Sequence, residues 1–308
     1  MQVHYGLESV KRIRNAVVTT GLFDGVHIGH KTIINKINQI AQSINGQSVL
    51  ITFYPHPRKV LYPETEGKEL MFINSQSEKI ELLRKAELDH LIIIKFAIEF
   101  SRTSSEQFIR DILIDKIGVK YIVIGFNHHF GHNRKGNFEY LYNLSQELDF
   151  KIEVIPEQDI HHETVNSTTI RKAIKGGQIQ RANSYLGHEY IIIGDLGKGT
   201  HLFEDINFPT LTVQIEEAGK LIPAKGIYAV AVQWGGKQYR GMAIIWQTPN
   251  EEQPFVEIHI LNFDNNFPND DATVYFHKQI QFGITIANID ELRRELQNGK
   301  ELVDELVF

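Results

Sequence analysis

The sequence predicts an α/β protein in two parts: a doubly wound parallel sheet over residues 1–185, then a small antiparallel β-barrel with a C-terminal helix over residues 186–308. Two observations predict it. Up to about residue 186, β-branched runs alternate with segments of helical periodicity, as in a parallel sheet covered by helices on both faces. Beyond that point the chain shortens into strand-like runs parted by Gly, Pro, Asn and Asp, the pattern of a small antiparallel barrel.

In chain order, the runs "AVVTT" (16–20), "SVLITF" (48–53), "HLIIIKF" (90–96), "YIVIG" (121–125) and "KIEVI" (151–155) read as strands. After His30, the residues Ile33, Ile34, Ile37, Ile40, Ala41 and Ile44 share one helical face; Phe108, Ile109, Ile112, Leu113 and Ile117 do so after a Ser104–Ser105 start. The segment "GGQIQRANSYLGHEY" reads as the joint between the two parts. The barrel strands are "EYIIIGD", "LTVQIE", "GIYAVAVQW", "KQYRGMAIIW", "PFVEIHILNF" and "ATVYFHKQI", and Asn288 caps a last helix with Glu291 three residues on.

Length and composition bound the function. A chain of 308 residues holds two domains, and 42% hydrophobic residues is ordinary for a packed core. The net charge of −6 disfavours an extended nucleic-acid footprint, and the lack of cysteine removes disulfides and thiolate metal sites. The first residues lack the apolar core of a signal peptide, and "LIIIKFAIEF" is too short to span a bilayer, so a cytoplasmic protein without a membrane partner is expected. Self-association is left open.

The stretch "GLFDGVHIGH" (21–30) lies between the first predicted strand and a helix. Free N–H groups and partial positive charge gather at such a helix end, while Gly25 and Gly29 leave room for a phosphate chain. His27 and His30 can donate hydrogen bonds where charge develops during attack on a phosphate. In "NSTTIRKAI" (166–174), Ser167 and Thr168 are expected to cap a helix with Arg171 one turn on, a second anion site. "GFNHHFGHNRKGN" (125–137) combines Phe126, Phe130 and the imidazoles His128, His129 and His132, which could wall a planar ring, and it lacks the ligand spacing of a structural metal site. "FYPHPRKVL" (53–61) is a stiff Pro55–His56–Pro57 turn.

In order and spacing these four motifs resemble those of the prokaryotic bifunctional riboflavin kinase/FMN adenylyltransferase family, the FAD synthetases. The resemblance implies a Rossmann-like nucleotidyltransferase domain with an HxGH signature, followed by a riboflavin kinase barrel. It implies transfer of AMP from ATP to FMN with release of pyrophosphate, and Mg²⁺ held through nucleotide phosphates. His27, His30 and Arg171 would be catalytic, and Gly21, Phe23, Asp24, Gly25, Gly29, Asn127, Ser167 and Thr168 would contact ATP and its phosphates. Pro55, His56, Pro57, Phe126 and His128 would contact the flavin, to which Phe23 could also contribute. Another small-molecule nucleotidyltransferase with a non-catalytic flavin-binding or interaction barrel is the alternative.

In the barrel, the resemblance makes Glu257 the general base toward the riboflavin 5′-hydroxyl and sets Thr210 and Thr212 at nucleotide and metal positions. Thr212 stands where the family has an asparagine, and "DNNFPND" and "IQFGITIANIDEL" depart from the family pattern; Asn166 replaces a serine in the motif before Arg171. The barrel departures lead to the expectation of a doubtful riboflavin kinase, turning over far below adenylylation.

Overall fold

The structure is a computed structural model that describes residues 1–125, 138–156, 159–160, 163–249, 251, 253–263, 271–284 and 288–306. It contains two compact units. One comprises residues 1–70 and 79–165, the other residues 71–78 and 166–308.

The first unit is built on a six-stranded parallel sheet: β1 (Gln2–Tyr5), β2 (Ala16–Thr20), β3 (Gln47–Tyr54), β4 (His90–Lys95), β5 (Val119–Gly125) and β6 (Lys151–Ile155), in the order β1-β4-β3-β2-β5-β6. β2, β3 and β4 are almost wholly buried, as their unbroken apolar runs require, whereas edge strand β6 leaves Val154 39% exposed. Edge strand β1 is absent from the sequence reading. It is four residues long and its one buried side chain is His4, whose ring bonds His90 of β4 at 3.1 Å. A two-stranded β7 (Asp159–Ile160) and β8 (Glu163–Thr164) completes the strands of this unit.

Helix α1 (Ile28–Ser43) buries Ile34, Ile37 and Ala41, the stripe that its spacing predicts. Short helices α2 (Pro57–Leu61), α4 (Ile98–Ser101) and α5 (Ser105–Gln107) and the longer α3 (Gln76–Lys85) and α6 (Phe138–Leu148) follow. The helix expected after Ser104 does start in a capping box with Gln107, but from Phe108 to Ile117 it winds as a π-helix. It still buries Phe108, Ile109, Leu113 and Ile117, and Gly118 ends it at φ 82°. Strand order reverses at β2: β3 and β4 lie to one side of it, β5 and β6 to the other. The carboxyl ends of β2 and β5 therefore stand at the switch point, where ligands bind in sheets of this kind.

In the second unit, β9 (Tyr190–Lys198), β10 (Leu211–Gln214), β11 (Gly226–Trp234), β12 (Lys237–Trp246), β13 (Phe255–Ile260) and β14 (Asp271–Phe282) close a barrel in the order β10-β13-β12-β11-β14-β9. All six runs read from the sequence are there. Short helix α9 (His201–Asp205) precedes β10, and α10 (Ile289–Glu305) is capped by Asn288, which accepts from the amides of Asp290 and Glu291. The presumed joint is helical: α7 (Ser167–Lys175) leads into α8 (Ile179–Leu186). By packing, both helices go with the barrel, so the first compact unit ends at Val165. Asn183 of α8 explains this, donating to the carbonyl of Phe276 and accepting from the amide of Tyr190, each at 2.8 Å.

Residues 71–78 belong to this unit because of a buried ion pair. Lys220 Nζ lies 2.5 Å from Glu78 Oε2, and both side chains are sealed from solvent. The ammonium also donates to the carbonyls of Ile73 and Ile191 and lies 4.2 Å from the Tyr190 ring centroid. Glu78 accepts from the amides of Ser75 and Ile193. Among the described residues, no helix is long and apolar enough to cross a membrane. Removing one partner of such a pair leaves an uncompensated buried charge, so Lys220→Met should lower the unfolding free energy by about 3–5 kcal/mol in urea denaturation.

Candidate active sites

The corner after β2 is held in an unusual backbone path: φ is 50° at Phe23, 92° at Gly25 and 41° at Val26. Two non-glycine residues in the left-handed region within four positions store strain, which persists where a loop must present groups in one geometry. His27 then takes an extended conformation as N-cap of α1, its Nδ1 accepting from the His30 amide at 3.4 Å. That acceptor role puts the proton of the neutral ring on Nε2. Phe23, His30 and His27 form a stack, with centroids 4.4 Å apart for the first pair and 3.6 Å for the second. Gly21 lets the Phe23 ring in, since a Cβ there would approach it to 3.0 Å. Asp24 is buried beside the turn, and Gly29 occupies the first turn of α1.

Burial, then the neighbouring His27 and Lys79, hold the His30 imidazole well below its ordinary value of 6.5. It is neutral at pH 7, and its Nδ1 is buried without a hydrogen-bond partner among the described residues. At the end of β3, Pro55 is exposed and His56 caps α2, with Pro57 in the first turn and His56 Nδ1 accepting from the Arg58 amide at 3.1 Å. Phe126, Asn127, His128, Phe130, His129 and His132 lie outside the described residues.

In the second unit, the N-cap of α7 is Asn166, not Ser167 or Thr168. Asn166 Oδ1 accepts from the Thr169 amide at 3.0 Å, and Ser167 is the first helical residue. An asparagine caps as well as a serine does, so this departure in the motif preserves the helix start. Arg171 is oriented from an unexpected direction, its Nε donating to the carbonyl of Met71 at 2.8 Å.

The barrel gathers a second set of groups. In the β10–β13 register Thr212 is directly opposite Glu257, so both side chains share one face. Thr212 Oγ1 donates to Glu257 Oε1 at 3.0 Å, and the Thr200 amide donates to the same oxygen at 3.2 Å. Glu257 is fully buried, yet its Oε2 has no partner among the described residues, and neither do the buried hydroxyls of Thr200 and Thr210. Gly199 allows the crowding: a Cβ there would come within 2.3 Å of Thr210 Oγ1. Beside Thr210 opens a cavity of about 250 Å³, lined also by Leu211, His259, Asn262, Phe263 and Lys300. The His259 ring packs on Phe208, centroids 4.3 Å apart, and burial lowers its pKa, with the Pro209 carbonyl opposing. Sequence reasoning missed Thr200, His259 and Lys300. Alternation along β13 could have found His259, two residues after Glu257 on the same face.

Residues 9–169 match the family model described as FAD synthetase, and residues 186–307 match the one described as riboflavin kinase. The chain belongs to the bifunctional riboflavin kinase/FMN adenylyltransferase family. Within the family, the bifunctional riboflavin kinase/FMN adenylyltransferase of Haemophilus influenzae is 30% identical, over 98% of this chain and 97% of its own. The protein of the same description from Bacillus subtilis is 30% identical, over 93% and 90%. The crystal structure of a macrolide-efflux protein from Streptococcus pneumoniae covers 100% of both chains with a TM-score of 0.88 at 24% identity, a likeness of fold. The doubt cast on the kinase half by Thr212 and the altered turns finds no support, because the riboflavin kinase model spans the whole barrel.

A depressed imidazole also links stability to pH. The unfolded chain binds a proton at His30 near pH 6.5 and the folded chain resists it, so this contribution is present above that pH and lost as pH falls below it. Urea midpoints measured at pH 7.5 and pH 5.5 should therefore fall less for His30→Phe than for the unchanged chain.

Proposed function

We propose that the chain makes FAD in two steps, phosphorylating riboflavin in the barrel and adenylylating FMN in the sheet unit. The observation that carries the reading is the His27–His30 corner, strained and stacked at the switch point of a parallel sheet. The names of the relatives, riboflavin kinase/FMN adenylyltransferase, support the substrates. In adenylylation, an oxygen of the FMN phosphate attacks the α-phosphorus of ATP, a P–O bond forms, and pyrophosphate leaves with the electron pair of the broken bond. No covalent enzyme intermediate is needed; positioning and charge neutralisation carry the rate.

His27 and neutral His30 would meet the triphosphate as donors, aided by Gly21, Phe23, Asp24, Gly25 and Gly29 in shaping the turn. Ser167, Thr168 and Arg171 are proposed phosphate ligands, Asn127 a nucleotide or flavin contact, and Pro55, His56, Pro57, Phe126 and His128 flavin contacts.

In the barrel, Glu257 Oε2 is proposed to take the proton of the riboflavin 5′-hydroxyl as that oxygen attacks the γ-phosphorus of ATP and ADP departs. The cavity beside Thr210 is the proposed place of the nucleotide, with His259 and Lys300 among its lining residues, the latter as a source of positive charge. The donor set suits Mg²⁺: the unpartnered hydroxyls of Thr200 and Thr210 are hard oxygens of the kind this cation takes together with phosphates. When bound, Mg²⁺ neutralises charge on the phosphates.

Chromatography of flavin products tests both halves. His27→Ala and His30→Ala should each reduce FAD formation from FMN and ATP by about 100-fold or more, the scale of a lost transition-state donor. Glu257→Gln should reduce FMN formation from riboflavin by about 100-fold or more while FAD still forms from supplied FMN.

A further inference from the structure

We propose that Thr212 is the positioning residue of the phosphoryl-transfer step, acting through Glu257 and not as a ligand of the metal. The inference rests on the reading of Glu257 as the base. Glu257 lies at the centre of β13, fully buried, with its two carboxylate oxygens in different surroundings. Oε1 is fastened twice, by the Thr212 hydroxyl at 3.0 Å and the Thr200 amide at 3.2 Å. Oε2 has no partner among the described residues.

Two donors on one oxygen fix the rotation of the carboxyl group about its last bond, and so fix where the other oxygen points. The oxygen left over is the one available to the substrate hydroxyl. The strands impose this arrangement, since Thr212 and Glu257 are register partners and the short threonine hydroxyl spans the gap between directly opposed side chains. The neighbouring hydroxyls of Thr200 and Thr210 have no partner among the described residues, so they are the oxygens assigned to the cation and the phosphates.

In the step concerned, the riboflavin 5′-oxygen forms a bond to the γ-phosphorus, and the bond from that phosphorus to the β–γ bridging oxygen breaks. ADP leaves with the electron pair, and the hydroxyl proton passes to Oε2.

The test uses the full chain with Thr212→Val, Thr212→Ser, Glu257→Gln and the double variant Thr212→Val/Glu257→Gln. Kinase kcat and KM are measured at saturating Mg²⁺, and binding of ADP is measured by calorimetry with and without Mg²⁺. Valine keeps the branched shape and loses the donor, so Thr212→Val should lower kinase kcat by about 10- to 100-fold, the scale of a hydrogen bond to a charged group, with little change in KM. Serine should restore most of the rate. The double variant should be no slower than Glu257→Gln alone, because a residue that acts only through Glu257 has nothing left to act on. Mg²⁺-dependent ADP binding should be the same in Thr212→Val as in the unchanged chain.

An unchanged kcat in Thr212→Val beside a strongly slowed Glu257→Gln overturns the positioning role alone. Weakened Mg²⁺-dependent ADP binding in Thr212→Val, or a further loss in the double variant, overturns it in favour of a metal ligand. A fully active Glu257→Gln removes the base itself, and the positioning role with it.

Discussion

The buried pair of Lys220 and Glu78 is the constraint on which the second unit depends. Both charges are out of water, so the pair stabilises the fold only because each lone pair and proton has somewhere to go. The carbonyls of Ile73 and Ile191 and the amides of Ser75 and Ile193 provide those places. The consequence is topological: a segment lying in sequence between two stretches of the sheet unit packs as part of the barrel's unit. The same segment holds Arg171 through the Met71 carbonyl. An arginine proposed to handle phosphate is thus oriented by a backbone held in place by a lysine between β10 and β11.

Each unit places its chemistry by a property of its strands. In the sheet unit, parallel pairing forces every connection to return over a face of the sheet, and the reversal at β2 opens the crevice next to which the strained turn is built. One histidine is the N-cap of α1 and the other lies in its first turn with its ring stacked on the first, so the helix start and the stack fix both orientations. In the barrel, antiparallel register does the same work for side chains, setting Thr212 against Glu257 with no loop involved.

What the sequence made legible was local. Six barrel strands were readable because alternation and turn residues repeat within a few positions, and α1 because its isoleucines recur at helical spacing. Strand β1 was not readable, since one buried histidine among four residues makes no pattern and its pairing with β4 spans most of a hundred positions. Lys220 sits in "EEAGKLIPAK", and nothing nearby in the sequence shows that its partner is Glu78. The π-helix is also invisible locally, because its buried residues satisfy ordinary helical spacing as well. The motif before Arg171 told that a helix starts there but not that Asn166 caps it. In the barrel, Glu257 was found and its surroundings, Thr200 above all, were not.

The substitution at position 212 shows why a departure from a motif is a weak argument for lost function. Judged one residue at a time, threonine in place of asparagine removes a carbonyl oxygen and shortens the side chain, which reads as a lost ligand. Judged in the register, the position faces a buried carboxylate, and a donor there adds a second hydrogen bond to the Oε1 that the Thr200 amide already meets. The strand pairing therefore favours a donor at this place. Threonine supplies that donor in a hydroxyl on a branched, β-compatible side chain that loses little rotamer freedom in a strand. What the position requires is set by Glu257, and the nature of that requirement appears only once the two strands are side by side.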